Sequence, residues 1–138
     1  MALSDEGVCT LGYGKGLDCV IEVPASYPVI YLRSPLMQLP PNDREALFKK
    51  LLTLNFLGIE TGGASFAIDE EESTVVLWLS RRISDLDQTG FETLLGNFLA
   101  VAEQWKLKLS PARLEDVPHR TDEQTNDFDP LTNLQFRA

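Results

Sequence analysis

Basic residues and histidine are scarce in this chain of 138 residues, and their scarcity disfavours whole classes of function. Twelve lysines and arginines face 21 aspartates and glutamates, so the formal net charge is -9. Because contact with phosphate backbones requires clustered positive charge, a nucleic-acid partner is disfavoured, and so is an anionic membrane surface. The acidic balance favours a protein partner that is basic or apolar.

Long apolar runs are also missing. None approaches the roughly 20 residues of a membrane-spanning helix, and residues 1–6 lack the basic start and apolar stretch of a signal peptide. We therefore expect a cytoplasmic protein that does not insert into a membrane. The only two cysteines, Cys9 and Cys19, are expected to remain reduced thiols in that compartment.

Residue patterns that carry chemistry are absent as well. The single histidine, His119, lies in a polar stretch, whereas a catalytic histidine needs a packed scaffold to orient it. Two cysteines and a distant histidine do not make a zinc site. The glycines at 12–16 lack the spacing and the following helix of a phosphate loop, and the acidic run at 69–72 lacks the spacing of a calcium loop. We expect no enzyme activity, no cofactor and no metal.

Alternating apolar residues predict five strands, at residues 8–13, 17–23, 29–33, 64–68 and 74–80. The first two are expected to form a hairpin centred on Gly14, with Cys9 opposite Cys19 and Leu11 opposite Leu17. With two helices the order is β-β-β-α-β-β-α. This order is typical of an α+β domain in which a twisted antiparallel sheet carries helices on one face.

The first helix is predicted to follow an N-cap at Asn42, because Glu45 three residues later completes a capping-box pattern. The second is expected to begin after Asp85 or Asp87 and to run to about residue 109. The remaining stretch, residues 112–138, is polar and lacks periodicity. We therefore expect one domain at residues 1–111 and a tail that is dispensable for folding.

The fifth strand carries more apolar residues than one covered face explains, since Val76 and Trp78 add to the alternating set on its other face. A strand in a sheet that is covered on one side should alternate apolar and polar residues. This surplus predicts that a second protein surface covers the sheet, and we expect a homodimer.

A second surplus lies in the proline-rich stretch at residues 35–41, which is predicted to be a connection. Leu36, Met37 and Leu39 stand there where polar residues are expected. Apolar residues beyond the core often mark interaction sites. For Leu39 the alternative is packing onto the following helix.

Four stretches together resemble the Tir-chaperone (CesT-like) family, the class I chaperones of bacterial type III secretion systems. They are Leu-Leu-Thr-Leu-Asn-Phe at 51–56, Gly-Ala-Ser-Phe-Ala-Ile-Asp at 63–69, Val-Val-Leu-Trp-Leu at 75–79, and a closing helix at 91–105 with Phe-Glu-x-x-Leu and Ala-Glu-x-Trp. The likeness covers about residues 3–109, and its specificity lies in the ordered set.

The resemblance implies a homodimer of the bacterial cytoplasm that binds the N-terminal region of a secreted effector and keeps it competent for secretion. Family members use apolar grooves and strand addition at a sheet edge. By resemblance the dimer interface contains Leu47, Leu51, Leu54, Phe56, Val76 and Trp78. The residues expected to bind the effector are Leu36, Met37, Leu39, Tyr31 and Phe66.

One feature departs from the family, whose members open with a helix before the first strand. Residues 3–7 of this chain instead predict a turn. Two other functions stay open at this point. A regulatory module that binds another protein would use the same fold, and a small enzyme is less favoured because no polar constellation supports it.

Overall fold

Five antiparallel strands form one sheet in the order β1-β2-β3-β5-β4 in the computed structural model, which describes residues 7–14 and 16–109. The strands are β1 (Val8–Tyr13), β2 (Leu17–Glu22), β3 (Val29–Gln38), β4 (Ser65–Asp69) and β5 (Thr74–Arg82). The helices are α1 (Arg44–Asn55) and α2 (Gln88–Lys108), with short 3-10 turns at Phe56–Gly58 and Ile83–Asp85. The predicted α+β fold and element order are confirmed; the expectations for residues 1–6 and 112–138 lie outside the described residues.

The core lies between one face of the sheet and the two helices, because alternate residues of the central strands point to that face. The strands contribute Leu17, Cys19, Ile21, Ile30, Leu32, Val75, Leu77 and Leu79. The helices contribute Leu47, Leu51, Leu54, Phe98, Leu99, Ala102 and Trp105. In the part of the chain that is described, no helix is long and apolar enough to cross a membrane.

Trp105 joins three parts of this core. Its side chain is 2% exposed, and its indole Nε1 donates a hydrogen bond of 2.8 Å to the carbonyl of Glu60. The ring of Phe66 on β4 meets the indole edge to face, with centroids 5.3 Å apart, and Lys108 Nζ lies 4.8 Å from the indole centroid. One aromatic side chain therefore ties α2 to β4 and to the loop that precedes it.

The register of the first hairpin differs from the prediction by two residues. Cys9 pairs with Ile21, Leu11 pairs with Cys19, and Tyr13 pairs with Leu17. The turn is therefore centred one residue beyond Gly14, with positive φ at both Gly14 and Gly16. Because side chains alternate with a period of two, the shift leaves Cys9, Leu11 and Cys19 on the predicted face.

The third strand is longer than predicted and includes the stretch that was expected to be a connection. β3 continues to Gln38 and pairs with β5 throughout, with a bulge between Pro35 and Met37. Pairing with β2 ends at Arg33. Beyond that residue β3 has a neighbour on one side only, so a proline costs no ladder hydrogen bond on the other side.

The helix caps agree with the prediction at α2 and differ at α1. The carboxylate of Asp87 accepts a hydrogen bond of 2.6 Å from the backbone N–H of Gly90, as an N-cap does. The α1 cap is Asp43 and not Asn42; its backbone is left-handed, with φ of 60°, and it makes no side-chain capping bond. The predicted capping box is therefore wrong, because the chain turns one residue later than the pattern implied.

Candidate functional site

The residues considered for chemistry do not assemble into a reactive site in the described ranges, 7–14 and 16–109. No group of three metal-ligating side chains occurs there, and His119 lies outside them. Gly12, Gly14 and Gly16 belong to the β1–β2 hairpin. In the acidic run the Asp69 carboxylate accepts a hydrogen bond of 3.2 Å from the N–H of Glu72. The run is therefore an internally bonded turn between β4 and β5.

The solvent side of α1 carries an apolar surface that the core does not use. Leu52 is 70% exposed and Phe56 is 65% exposed, and with Phe48 they follow each other at intervals of four residues along one side of the helix. This α1 surface is an open cleft lined by Glu45, Phe48, Lys49, Leu52, Thr53 and Phe56. An apolar stripe of this kind matches the seam of a helix that packs against another chain.

Three of the predicted interface residues lie on the opposite side of the same helix. Leu47, Leu51 and Leu54 are between 4% and 6% exposed and belong to the core. Their side chains pack in the core of the single chain, whereas the side chain of Phe56 is accessible to solvent. Leu52 and Phe48, which line the α1 surface, were not named in the interface prediction, because apolar residues occupy both sides of the helix and their spacing does not indicate which side meets the sheet.

The sheet face away from the helices carries a second surface, built around two aromatic rings. The rings of Tyr31 on β3 and Trp78 on β5 have centroids 6.5 Å apart, and Trp78 is 37% exposed. Arg33, the cross-strand partner of Trp78, forms an ion pair of 3.5 Å with Glu22. We call these four residues the outer sheet surface; it brings together Tyr31 and Trp78, which the sequence assigned to different roles.

The two apolar faces of β5 have different surroundings. Val75, Leu77 and Leu79 point into the core. Val76 points to the other face, yet it is only 7% exposed, between its cross-strand partners Pro35 and Ala67. Of the two outward residues on this strand that were predicted to bind a second copy, Trp78 is therefore the accessible one.

Most of the remaining residues that were predicted to bind an effector are buried or partly buried. Leu36 and Phe66 are each 5% exposed and are part of the core. Met37 and Leu39 are partly buried and pack against that core. Their apolar character is thus explained by intrachain packing, while Tyr31 remains accessible at the sheet surface.

The two cysteines differ in accessibility, which makes their reactivity testable. Cys19 is fully buried, and burial, with a smaller contribution from nearby Cys9, raises the pKa of its thiol to about 11. Only thiolates react with iodoacetamide, and a rise of two pKa units lowers the thiolate fraction at pH 8 by about 100-fold. We expect Cys9 to be alkylated in the native protein at least 100-fold faster than Cys19, as followed by mass spectrometry, and both to react equally in denaturant. Equal native rates would contradict this.

The chain is similar to known proteins both in its sequence and in its fold. A family model described as the Tir chaperone protein (CesT) family matches residues 1–106. A comparison with curated protein sequences finds no match. A chain in the crystal structure of the ExsC–ExsE complex is 23% identical, with a TM-score of 0.67 over 81% of this chain and 83% of that one.

Two further solved structures share the fold. A chain of the heterodimeric ExoU–SpcU complex from the type III secretion system of Pseudomonas aeruginosa is 18% identical, with a TM-score of 0.61 over 78% of this chain and 86% of that one. A chain of the HopA1–SchA chaperone–effector complex is 14% identical, with a TM-score of 0.60 over 76% of this chain and 79% of that one.

Proposed function

Since the chain belongs to the Tir chaperone family, we propose that it is a type III secretion chaperone that binds the N-terminal region of a secreted effector in the bacterial cytoplasm. The family match over residues 1–106 carries this proposal. One of the similar structures, HopA1–SchA, is described as a chaperone–effector complex, and another, ExoU–SpcU, comes from a type III secretion system. Accessible apolar residues, among them Leu52, Phe56 and Trp78, suit binding to another protein.

We also propose that two copies of the chain form a dimer through the α1 surface. Leu52 and Phe56 are the most exposed large apolar residues of α1 and of the turn after it. A two-fold dimer brings the same patch of both subunits together, so a stripe along one helix is buried against its own copy. The outer sheet surface then stays available for the effector.

The effector is proposed to use Trp78 and Tyr31 as anchors. Large aromatic side chains at interfaces often contribute 2 kcal/mol or more to binding, and the adjacent Arg33 and Glu22 place polar groups beside them, as at the rim of an interface. An extended effector segment that lies across the sheet would bury both rings. Its apolar residues would otherwise be exposed to solvent before secretion.

The experiment uses the tagged full chain expressed in its own bacterium, followed by purification and mass spectrometry of the protein that accompanies it. We expect a protein that is secreted by the type III system and whose secretion is lost when the gene for this chain is deleted. Trp78→Ala should reduce capture by tenfold or more. Leu107→Ala, which changes an apolar residue 61% exposed on α2, should leave capture unchanged.

A companion protein that is never secreted, or whose secretion does not depend on this chain, would refute the chaperone function. That result would favour the regulatory alternative, in which the same fold binds a resident cytoplasmic protein. Equal loss of capture in Trp78→Ala and Leu107→Ala would refute the assignment of the outer sheet surface while leaving the chaperone function intact.

A further inference from the structure

A tight turn follows α1 at Phe56–Gly58. Phe56 has φ of -59° and ψ of 120°, and Leu57 has φ of 63° and ψ of 1°. These angles are those of the two central residues of a type II turn, the second of which is usually glycine or asparagine because its φ is positive. In the left-handed region the Cβ of any other residue comes too close to a backbone carbonyl oxygen. The backbone therefore disfavours leucine at this position.

Local backbone chemistry does not explain why Leu57 is there. Besides glycines, the residues with a positive φ in the described part of the chain are Asp43, Leu57 and Ser73. Asp43 and Ser73 have short polar side chains and are exposed, and a short polar side chain is tolerated in this region. Leu57 is the aliphatic member of the three. The next residue, Gly58, has a φ of 68° and carries no side chain.

The core does not explain Leu57 either. Its side chain is 55% exposed and does not belong to the core cluster. Its neighbours in the turn are also apolar and exposed, with Phe56 at 65% and Ile59 at 37%. Large apolar side chains that are exposed next to each other indicate an interaction surface. A residue in a disfavoured backbone conformation is likewise a sign of function when the fold does not require it.

The loop that carries Leu57 is anchored to α2. The indole Nε1 of Trp105 donates a hydrogen bond of 2.8 Å to the carbonyl of Glu60. At Gly62 the loop lies so close to the helix that a Cβ would come within 3.2 Å of Val101. Leu57 is therefore presented by a loop that is already ordered, which reduces the entropy lost when the side chain meets a partner.

The α1 surface alone is small for a dimer interface. It is lined by six residues, whereas a stable interface uses about 20–30 residues of each partner. Phe56 belongs both to the α1 surface and to the turn, so the apolar surface continues without a break to Leu57 and Ile59. The turn is the adjoining apolar area by which the proposed interface can extend.

Charge favours a second copy of the chain as the occupant of this extended surface. Each chain carries a net charge of -9, so two copies repel each other wherever both surfaces are acidic. The α1 surface contains one acidic and one basic residue, Glu45 and Lys49, and residues 56–59 carry no charge. A two-fold axis can therefore bring this patch of both copies together without an excess of negative charge.

We propose that Leu57 is kept in the left-handed turn because its side chain packs against the second copy, so that the chain gives up stability of the single subunit in exchange for association. This inference rests on the proposed dimer, which it deepens by adding Leu57 and Ile59 to the contact. It also predicts that one substitution at residue 57 changes stability and association in opposite directions.

Two variants of the full chain separate the side chain from the backbone. Leu57→Ala keeps a Cβ in the left-handed region but removes most of the side chain, and Leu57→Gly removes both. Sedimentation equilibrium should show that either variant raises the dissociation constant of the dimer at least about tenfold, because each copy loses a buried side chain.

Thermal melting is measured in the Leu52→Asp background, in which association does not contribute. There Leu57→Gly should raise the melting temperature by about 2–5 °C, because the relief of the disfavoured conformation outweighs the added freedom of the unfolded chain. Leu57→Ala should leave the melting temperature within about 1 °C, because the side chain that it shortens is exposed in the single subunit.

Two controls test each feature away from the turn. Ser73→Gly replaces another residue of positive φ, 53°, in the turn between β4 and β5, and should leave the dissociation constant unchanged. Leu107→Ala shortens an apolar side chain that is 61% exposed on α2, and it should also leave the dissociation constant unchanged.

The inference would be overturned by an unchanged dissociation constant in Leu57→Ala, by a lower melting temperature in Leu57→Gly, or by equal weakening of the dimer in Leu107→Ala. A chain that is monomeric at micromolar concentration, or a dimer that persists in Leu52→Asp, would overturn it as well. None of these measurements involves an effector. Failure here is thus distinguishable from failure of the chaperone function, which effector capture and secretion decide.

Discussion

Replacing Leu52 by aspartate is expected to turn a dimer into a folded monomer. Leu52 is 70% exposed in the single chain, so the substitution should cost the fold less than about 0.5 kcal/mol. In the proposed dimer the Leu52 side chain of each copy is buried. Each burial contributes about 1.5–3 kcal/mol to the free energy of association. The carboxylate adds a desolvation cost, so the dissociation constant should rise about 1000-fold or more.

Sedimentation equilibrium at micromolar concentration measures this change, with thermal melting as the check on folding. The matched control is Ala46→Asp, because Ala46 is an exposed residue of α1 that lies about 120° around the helix from Leu52. The control should remain dimeric. A monomer in the unsubstituted protein, or a dimer that survives Leu52→Asp, would show that the α1 surface does not hold two copies together.

Among replacements by alanine in the described part of the chain, that of Trp105 is expected to have the largest effect on stability, because Trp105 is the largest fully buried side chain there. The substitution removes a fully packed indole, its hydrogen bond to Glu60 and its edge-to-face contact with Phe66. The expected loss is about 3–5 kcal/mol. For a domain with a total stability of about 5–15 kcal/mol, the melting temperature should fall by about 15 °C or more.

Urea denaturation gives the free energy, and Trp105→Phe separates packing from hydrogen bonding. Phenylalanine retains an aromatic ring but lacks the indole N–H, so about 1–2 kcal/mol should be lost through the hydrogen bond. Leu107→Ala on the same helix is the control, because its side chain is 61% exposed. A loss below 1 kcal/mol in Trp105→Ala would mean that the loop before β4 is not anchored to α2.

Local sequence patterns predicted an element correctly where its apolar residues keep one helical or strand spacing without interruption. The 21 residues of α2 combine a capping aspartate, a broad apolar stripe and two lysines in the last turn, and its start and end follow from these features alone. In β2 the alternation of Leu17, Cys19 and Ile21 predicted the buried face correctly. The family resemblance likewise rests on motifs along the chain, and the family model confirms it.

Pairing between distant segments was the part that local patterns did not determine. Pro35 predicts the end of a strand, yet β3 continues past it. Pairing with β2 has already ended at Arg33, so the proline lies where β3 pairs with β5 alone. The hairpin register shifted by two residues, a change that leaves every side chain on its face and is therefore invisible to the apolar pattern. The first outcome depends on which strands are neighbours, and the second on the geometry of the turn that joins β1 to β2.

The order of elements and the family follow from short-range periodicity and motifs, and the net charge of -9 follows from composition, so all three could be predicted without a structure. Which apolar residues are accessible became clear from the folded chain alone. Leu51 and Leu52 are adjacent and chemically identical, yet one is 4% exposed in the core and the other is 70% exposed on the α1 surface. Accessibility depends on which side of the helix meets the sheet, and that choice is made by packing between segments far apart in the chain.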